Sequence, residues 1–218
     1  KEYPLLPEYE HLTMQLASLA RIPTVEHALY RLEDGTLVYL TKRIDRVGET
    51  KIAMEDFCQL SGRLTEDKYH SSCEQLGKIL RRYSRRLLDA VALWHLLLFC
   101  FVTGNSDMHL KNFSLYAPNG DDYILTPAYD LLPTNLILPE DREESALTLR
   151  GKKNRLKKED FVCLAQQYGI HSKTVERLIA RIVGLQKTFF EAIEQSFLPK
   201  EAQKAYKALI AERIGRLS

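Results

Sequence analysis

Two β-hairpins set among long helical stretches place this 218-residue chain in the α+β class. Three observations carry that prediction. An Asp34-Gly35 pair separates two β-prone runs, a strong hairpin signal. A second turn-rich stretch, Pro118 to Asp122, separates two further short apolar runs. Most of the remainder has helical periodicity, and three such stretches close the chain.

The elements follow in order. Pro7 to Arg21 reads as a helix, with Glu8 and Glu10 in a first turn where negative charge is favourable. Val25–Leu32 and Thr36–Ile44 form the first predicted hairpin. Met54–Leu60 reads as a short helical piece, and Ser71 with Glu74 reads as a capping box that opens a helix over Cys73–Tyr83. Arg85–Val102 is apolar on nearly every side, so it reads as a central buried helix. Phe113–Tyr116 and Tyr123–Leu125 make the second hairpin, and Ala146–Leu149 reads as a short extended segment. Lys158–Tyr168, Lys173–Ser196 and Lys200–Arg216 are the closing helices. Gly169 ends the first, Ser172 caps the second and Pro199 starts the third.

Composition narrows the function classes. The net charge is +2, so nothing global marks a nucleic-acid binder. The charge is uneven, however. Residues 151–218 carry 14 Lys+Arg against 7 Asp+Glu, while residues 1–150 carry 17 against 22. Arg150, Lys152, Lys153, Arg155, Lys157 and Lys158 crowd one short run. Such a run could contact phosphates without reading sequence, with Lys152, Lys153 and Arg155 as the DNA-facing candidates. A solvated loop leading into a helix is the favoured reading. Cys58, Cys73, Cys100 and Cys163 have no C-x-x-C spacing and read as reduced core residues of a cytoplasmic protein. No signal peptide is visible, and the longest apolar run falls short of the ~20 residues that span a bilayer. The chain opens at Lys1 without a Met, which suggests part of a longer product.

The chemistry concentrates after the apolar helix, in Thr103-Gly104-Asn105-Ser106-Asp107-Met108-His109-Leu110-Lys111-Asn112. Asp107 stands five residues before Asn112, and Asp130 follows the second hairpin. Phosphoryl transfer from a nucleotide needs such a set: a carboxylate for the acceptor hydroxyl, and an amide oxygen with a second carboxylate for the metal. Asp107 is the candidate catalytic base, with an Asx-turn as its bland alternative. His109 either contacts the phosphates or makes a structural hydrogen bond. Lys111 either places charge near the transferred phosphoryl or is a solvated loop residue. Gly104 and Asn105 serve the turn.

The stretch Val102 to Leu115, together with Thr126-Pro-Ala-Tyr-Asp-Leu-Leu-Pro-Thr134, resembles the HipA-like toxin kinases. Leu5–Ala17, Lys42–Arg46 and Leu147–Arg155 are similar to that family as well. The resemblance implies a protein-kinase-like fold with a mostly helical C-terminal lobe. It implies a bacterial serine/threonine protein kinase that uses ATP and Mg²⁺. It also implies the toxin of a toxin–antitoxin system. The implied partners are a small helix-turn-helix antitoxin, operator DNA through that complex, and a translation component such as an aminoacyl-tRNA synthetase as substrate. By motif, Asp107 is the catalytic Asp, with His109 and Lys111 beside it, and Asn112 and Asp130 hold the metal. Lys42, Arg43, Ile44 and Asp45 take the place of the hinge that meets adenine and ribose, with His109 also near the nucleotide. The family commonly has Glu-Arg-Phe-Asp at the hinge, so the aromatic is replaced here by Ile44.

Residues 1–46 are then the rest of an N-terminal subdomain with its hinge, and 47–218 the helical lobe. In the family, the phosphate-covering loop and its strand Lys precede the first helix, and neither is found before it here. Weak or absent activity is therefore expected of these 218 residues alone. Glu10 is a candidate partner for that Lys or a helix-dipole carboxylate. A small-molecule phosphotransferase and a non-catalytic binding component are the alternative readings.

Overall fold

The computed structural model describes residues 3–120 and 122–218. Asp121, in the predicted turn of the second hairpin, lies outside the described residues, as does Lys1. The α+β prediction holds. The first helix, α1 (Leu6–Leu19), has a Pro in its first turn and buries Tyr9, Leu12, Met14 and Leu16. Strands β1 (His27–Arg31) and β2 (Leu37–Thr41) pair antiparallel, with His27 opposite Thr41, and pack on α1. Gly35 takes φ +84 in their turn, and Asp34 accepts a hydrogen bond from the Thr36 amide at 2.9 Å. Residues 42–45 leave this hairpin and lead into a short ribbon of β3 (Arg46–Val47) and β4 (Thr50–Lys51).

A three-stranded antiparallel sheet comes next, in the order β5 (Met54–Asp56), β6 (Ser114–Tyr116), β7 (Ile124–Leu125). The predicted second hairpin is thus present as β6 and β7. The predicted helix over Met54–Leu60 is corrected: its first half is β5, and only α2 (Phe57–Leu60) is helical. Pairing with β6 supplies the missing hydrogen-bond partners, and Asp56 then caps α2 by accepting from the Gln59 amide.

Helix α3 (Cys73–Tyr83) is capped by Ser72 rather than Ser71. Glu74 does not close a capping box; it accepts from the Arg150 amide at 2.8 Å. Helix α4 (Leu87–Thr103) is the predicted central helix. Leu93, Trp94, Leu98, Phe99 and Val102 are fully buried, and the indole of Trp94 donates to the Phe161 carbonyl at 2.8 Å. Around α4 lie α3, α6 (Lys158–Gln167), β7 and α9 (Lys200–Gly215). The predicted helix over 173–196 is two helices, α7 (Ser172–Gly184) and α8 (Gln186–Glu194), meeting at Leu185. His171, not Ser172, caps α7. Ala146–Leu149 forms no strand, only single bridges from Thr148 to Ser72 and from Leu149 to Lys152. A short helix α5 (Thr134–Ile137) follows Asp130 and was not anticipated. One cluster of buried apolar side chains runs from Tyr9 to Leu217. No helix among the described residues is long and apolar enough to cross a membrane.

Candidate active site

The loop after α4 is shaped by its first residue. Gly104 takes φ +71, the left-handed turn that ends the helix, and a Cβ there would overlap Leu209 of α9. The chain then doubles back. Asn105 accepts from the Asp107 amide at 3.1 Å, and the His109 amide donates to the Asp107 carbonyl at 2.8 Å. Thr134, at the start of α5, accepts from the Ser106 amide at 2.7 Å, which fixes the loop from behind. Asp107 therefore stands on a loop braced from both sides.

Asp130 reaches this loop from the far side of the second hairpin. Its segment is tied down by the Val25 amide donating to the Ala128 carbonyl and the Ala128 amide donating to the Pro23 carbonyl. Asp130 has φ +57, a conformation that Asp tolerates better than most residues. The Asn112 amide nitrogen donates to the Asp130 carboxylate at 2.8 Å and to the Asp107 carbonyl at 3.3 Å. Asp107, Asn112 and Asp130, separated by up to 23 positions in the chain, are thus joined through one amide.

Carboxylates repel one another across this loop. Asp130 is exposed as a residue, yet the protein packed around its carboxyl raises its pKa, and the Asp107 charge raises it further. Glu10 on α1 is pushed up to about 7, first by burial and then by Asp130. Burial also lowers the pKa of His109, with Asp107 opposing. The His109 Nδ1 has no hydrogen-bond partner among the described residues, and its ring meets Tyr69 edge-on at 5.0 Å.

Lys111 does not turn to Asp107. Its ammonium pairs with Asp56 at 2.9 Å, and that pair lines a cleft of about 410 Å³. The same cleft is lined by Thr41, Lys42, Arg43, Ile44 and Asp45, with Ser114 and Tyr129 also on its wall. The hinge candidates and Lys111 therefore share one cavity of ligand size. Asp45 accepts from Arg43 at 2.7 Å and Arg46 at 2.6 Å, and the Arg43 bond leads in holding its pKa low. Lys42 pairs with Glu26 at 2.9 Å on the surface. The basic run lies elsewhere. Lys152 and Arg150 pair with Asp160, and Lys153 pairs with Glu143, while Arg155 is exposed at φ +53. Three of the six cations in that run are thus paired within the fold, sharing two carboxylates.

Tyr69 and Asp56 carry contacts that no motif signals in the sequence. Each lies about forty or more positions from the loop it touches, at 38 and 55 respectively. Only a hydroxyl or carboxyl with no periodic role marks either residue in advance.

This arrangement is that of a kinase-like fold. The chain superposes on a Shewanella oneidensis MR-1 structure of the toxin–antitoxin proteins HipA and HipB with operator DNA. The TM-score is 0.79 at 18% identity, over 98% of this chain and 56% of that one. It also superposes on the Helicobacter pylori proinflammatory kinase CtkA, with TM-score 0.65 at 13% identity, over 98% and 82%. At those identities the likeness is one of fold. The family described as the HipA-like C-terminal domain matches residues 1–189, and this chain belongs to it. The chain is 30% identical over 218 residues to "Putative kinase Y4dM" of Sinorhizobium fredii, covering 94% of this chain and 53% of that protein. It is 27% identical over 231 residues to a "Putative kinase" of Haemophilus influenzae, covering 92% and 67%. The chain thus spans about half the length of the first of these relatives and two thirds of the second.

Proposed function

We propose that this chain is the catalytic domain of an ATP-dependent serine/threonine protein kinase, the toxin of a toxin–antitoxin system. The observation that carries the reading is the junction at Asn112, which brings the Asp107 loop and the Asp130 carboxylate together beside the cleft of the hinge. Asp107 orients the acceptor hydroxyl and takes its proton. Asn112 and Asp130 would hold Mg²⁺. Two oxygen ligands from the protein suit a hard divalent cation of this kind, which would neutralise phosphate charge there. The crowding of Asp107, Asp130 and Glu10 fits a bound cation, because a cation relieves like charges. Residues 42–45 would receive adenine and ribose, with Ile44 giving the apolar contact, and Lys111 and His109 would lie on the phosphate side. ATP bound there supplies the phosphoryl group.

The HipA of the Shewanella structure is seen with HipB and operator DNA. By family membership, this chain is assigned a small helix-turn-helix antitoxin as partner, with DNA contacted through that complex. A cytoplasmic setting and a translation component as acceptor go with that assignment. The test is phosphate incorporation from labelled ATP by the full-length protein with Mg²⁺. Asp107→Asn is expected to lower incorporation at least about 100-fold, by the usual worth of a positioned base. Undiminished incorporation in that variant would sink the assignment of Asp107.

A further inference from the structure

The segment before α3 is docked on the catalytic loop by several independent contacts. The Leu110 amide donates to the Lys68 carbonyl at 3.1 Å. The Tyr69 hydroxyl donates to Oδ1 of Asp107 at 2.7 Å. The Tyr69 ring meets the His109 ring edge-on at 5.0 Å, an interplanar angle of 75°. The Lys68 ammonium lies 5.0 Å from the centre of the Tyr69 ring. The ring is held on one side by His109 and shaded by Lys68, so the phenol is aimed rather than swinging freely.

A catalytic carboxylate has two oxygens and one rotatable bond that chooses between them. If neither oxygen is held, the group presents its lone pairs to the acceptor hydroxyl only part of the time. Proximity and orientation can supply several powers of ten in rate, so that loss matters. In this loop Asn112 binds the Asp107 carbonyl and the Asp130 carboxylate, not the Asp107 side chain. Lys111 is committed to Asp56. Among the described residues, the Tyr69 hydroxyl is the side-chain donor to the Asp107 carboxylate, and Oδ2 has no hydrogen-bond partner.

We propose that Tyr69 is a positioning residue of the kinase: its hydroxyl pins Oδ1 of Asp107 and so turns Oδ2 toward the acceptor hydroxyl. Tyr69 is 38% exposed, so its outer edge also forms part of the wall that an entering acceptor meets. The phenol keeps its proton for this task, because burial and the Asp107 bond both raise its pKa. A hydrogen bond from a neutral donor to an ionised acceptor is among the stronger ones, which suits a group meant to hold another still.

The inference rests on the kinase reading, and the experiment separates the two. Phosphate incorporation by the full-length protein is measured for the wild type, Tyr69→Phe, Asp107→Asn and the double variant. Tyr69→Phe keeps the ring contact with His109 and loses only the hydroxyl. It is expected to lower kcat about tenfold, by the usual worth of a hydrogen bond to a charged group, with KM for ATP within about twofold. In the Asp107→Asn background it is expected to change nothing, because its effect runs through that carboxylate. An equal loss in both backgrounds would mark a merely structural role and overturn the proposal. So would a rise in kcat, which would make Tyr69 an obstruction to the acceptor, or an unchanged kcat. No incorporation by the wild type would overturn the kinase reading itself, and this inference with it.

Discussion

Glu10 shows how one side chain reports on the site around it. Its carboxyl is pushed up to about 7 from an ordinary 4.5, so the fold prefers it protonated. The sign follows from proton counting. Between those two values the folded protein binds more protons than the unfolded chain, so stability falls as pH rises. The contribution is fully present below 4.5 and is lost by about 7. Glu10→Gln removes the titration. It is expected to raise the thermal midpoint at about pH 8 and leave it unchanged at about pH 4, with linkage capping the gain at roughly 3 kcal/mol. Equal shifts at both pH values would show that Glu10 is not the group responsible. Asp130 makes a related point through its backbone. Its φ of +57 suits Asp or Asn, so Asn removes its charge without adding backbone strain, whereas Ala would do both.

Helix packing sets two opposing terms at Gly77 in α3. Replacing a helical glycine by alanine gains about 1 kcal/mol in propensity. Here the added methyl would overlap the ring of Tyr168, which is buried and bonded through its hydroxyl to the Cys73 carbonyl. Overpacking of that kind costs about 1–3 kcal/mol, so Gly77→Ala is expected to be net destabilising. Urea denaturation checks this, and a gain in stability would show that the ring can move away. The same balance between local and distant terms decides what could be read in advance. The Asp34-Gly35 turn, the apolar run of α4 and the spacing of Asp107 and Asn112 are local signals, and each was legible. Met54-Glu55-Asp56 is too short and too acidic to announce a strand; pairing with β6, some sixty residues away, makes it one. The break at Leu185 has no proline to mark it, and comes where α8 turns to pack on α1 and α9. Tyr69 was invisible because its partner lies 38 positions downstream and no motif contains it.

Over the whole molecule, the loop from 143 to 156 is fastened to the last helix by charge. Glu144 pairs with Arg213 at 2.9 Å and with Arg216 at 3.0 Å, and it accepts from the Leu156 amide at 2.9 Å. Both guanidinium groups also lie about 5 Å from the Phe101 ring of α4, at 5.0 and 5.2 Å. The side chains of Glu144 and Arg213 are only 11% and 7% exposed. Removing one member of such a buried set strands the others, at about 3–5 kcal/mol. Glu144→Ala is expected to lower the unfolding free energy by that order in urea titration; a loss below about 1 kcal/mol would mean that water replaces the carboxylate.

The same helix has a longer reach. Arg213 donates to Asn135 at 3.3 Å, Asn135 donates to Ser106 at 3.2 Å, and Leu209 fills the space that the missing Cβ of Gly104 leaves open. The end of the chain and the residue beside Asp107 therefore belong to one mechanical unit. A load placed on α9 bears, through Asn135 and Leu209, on the loop that carries Asp107 and not on the cleft.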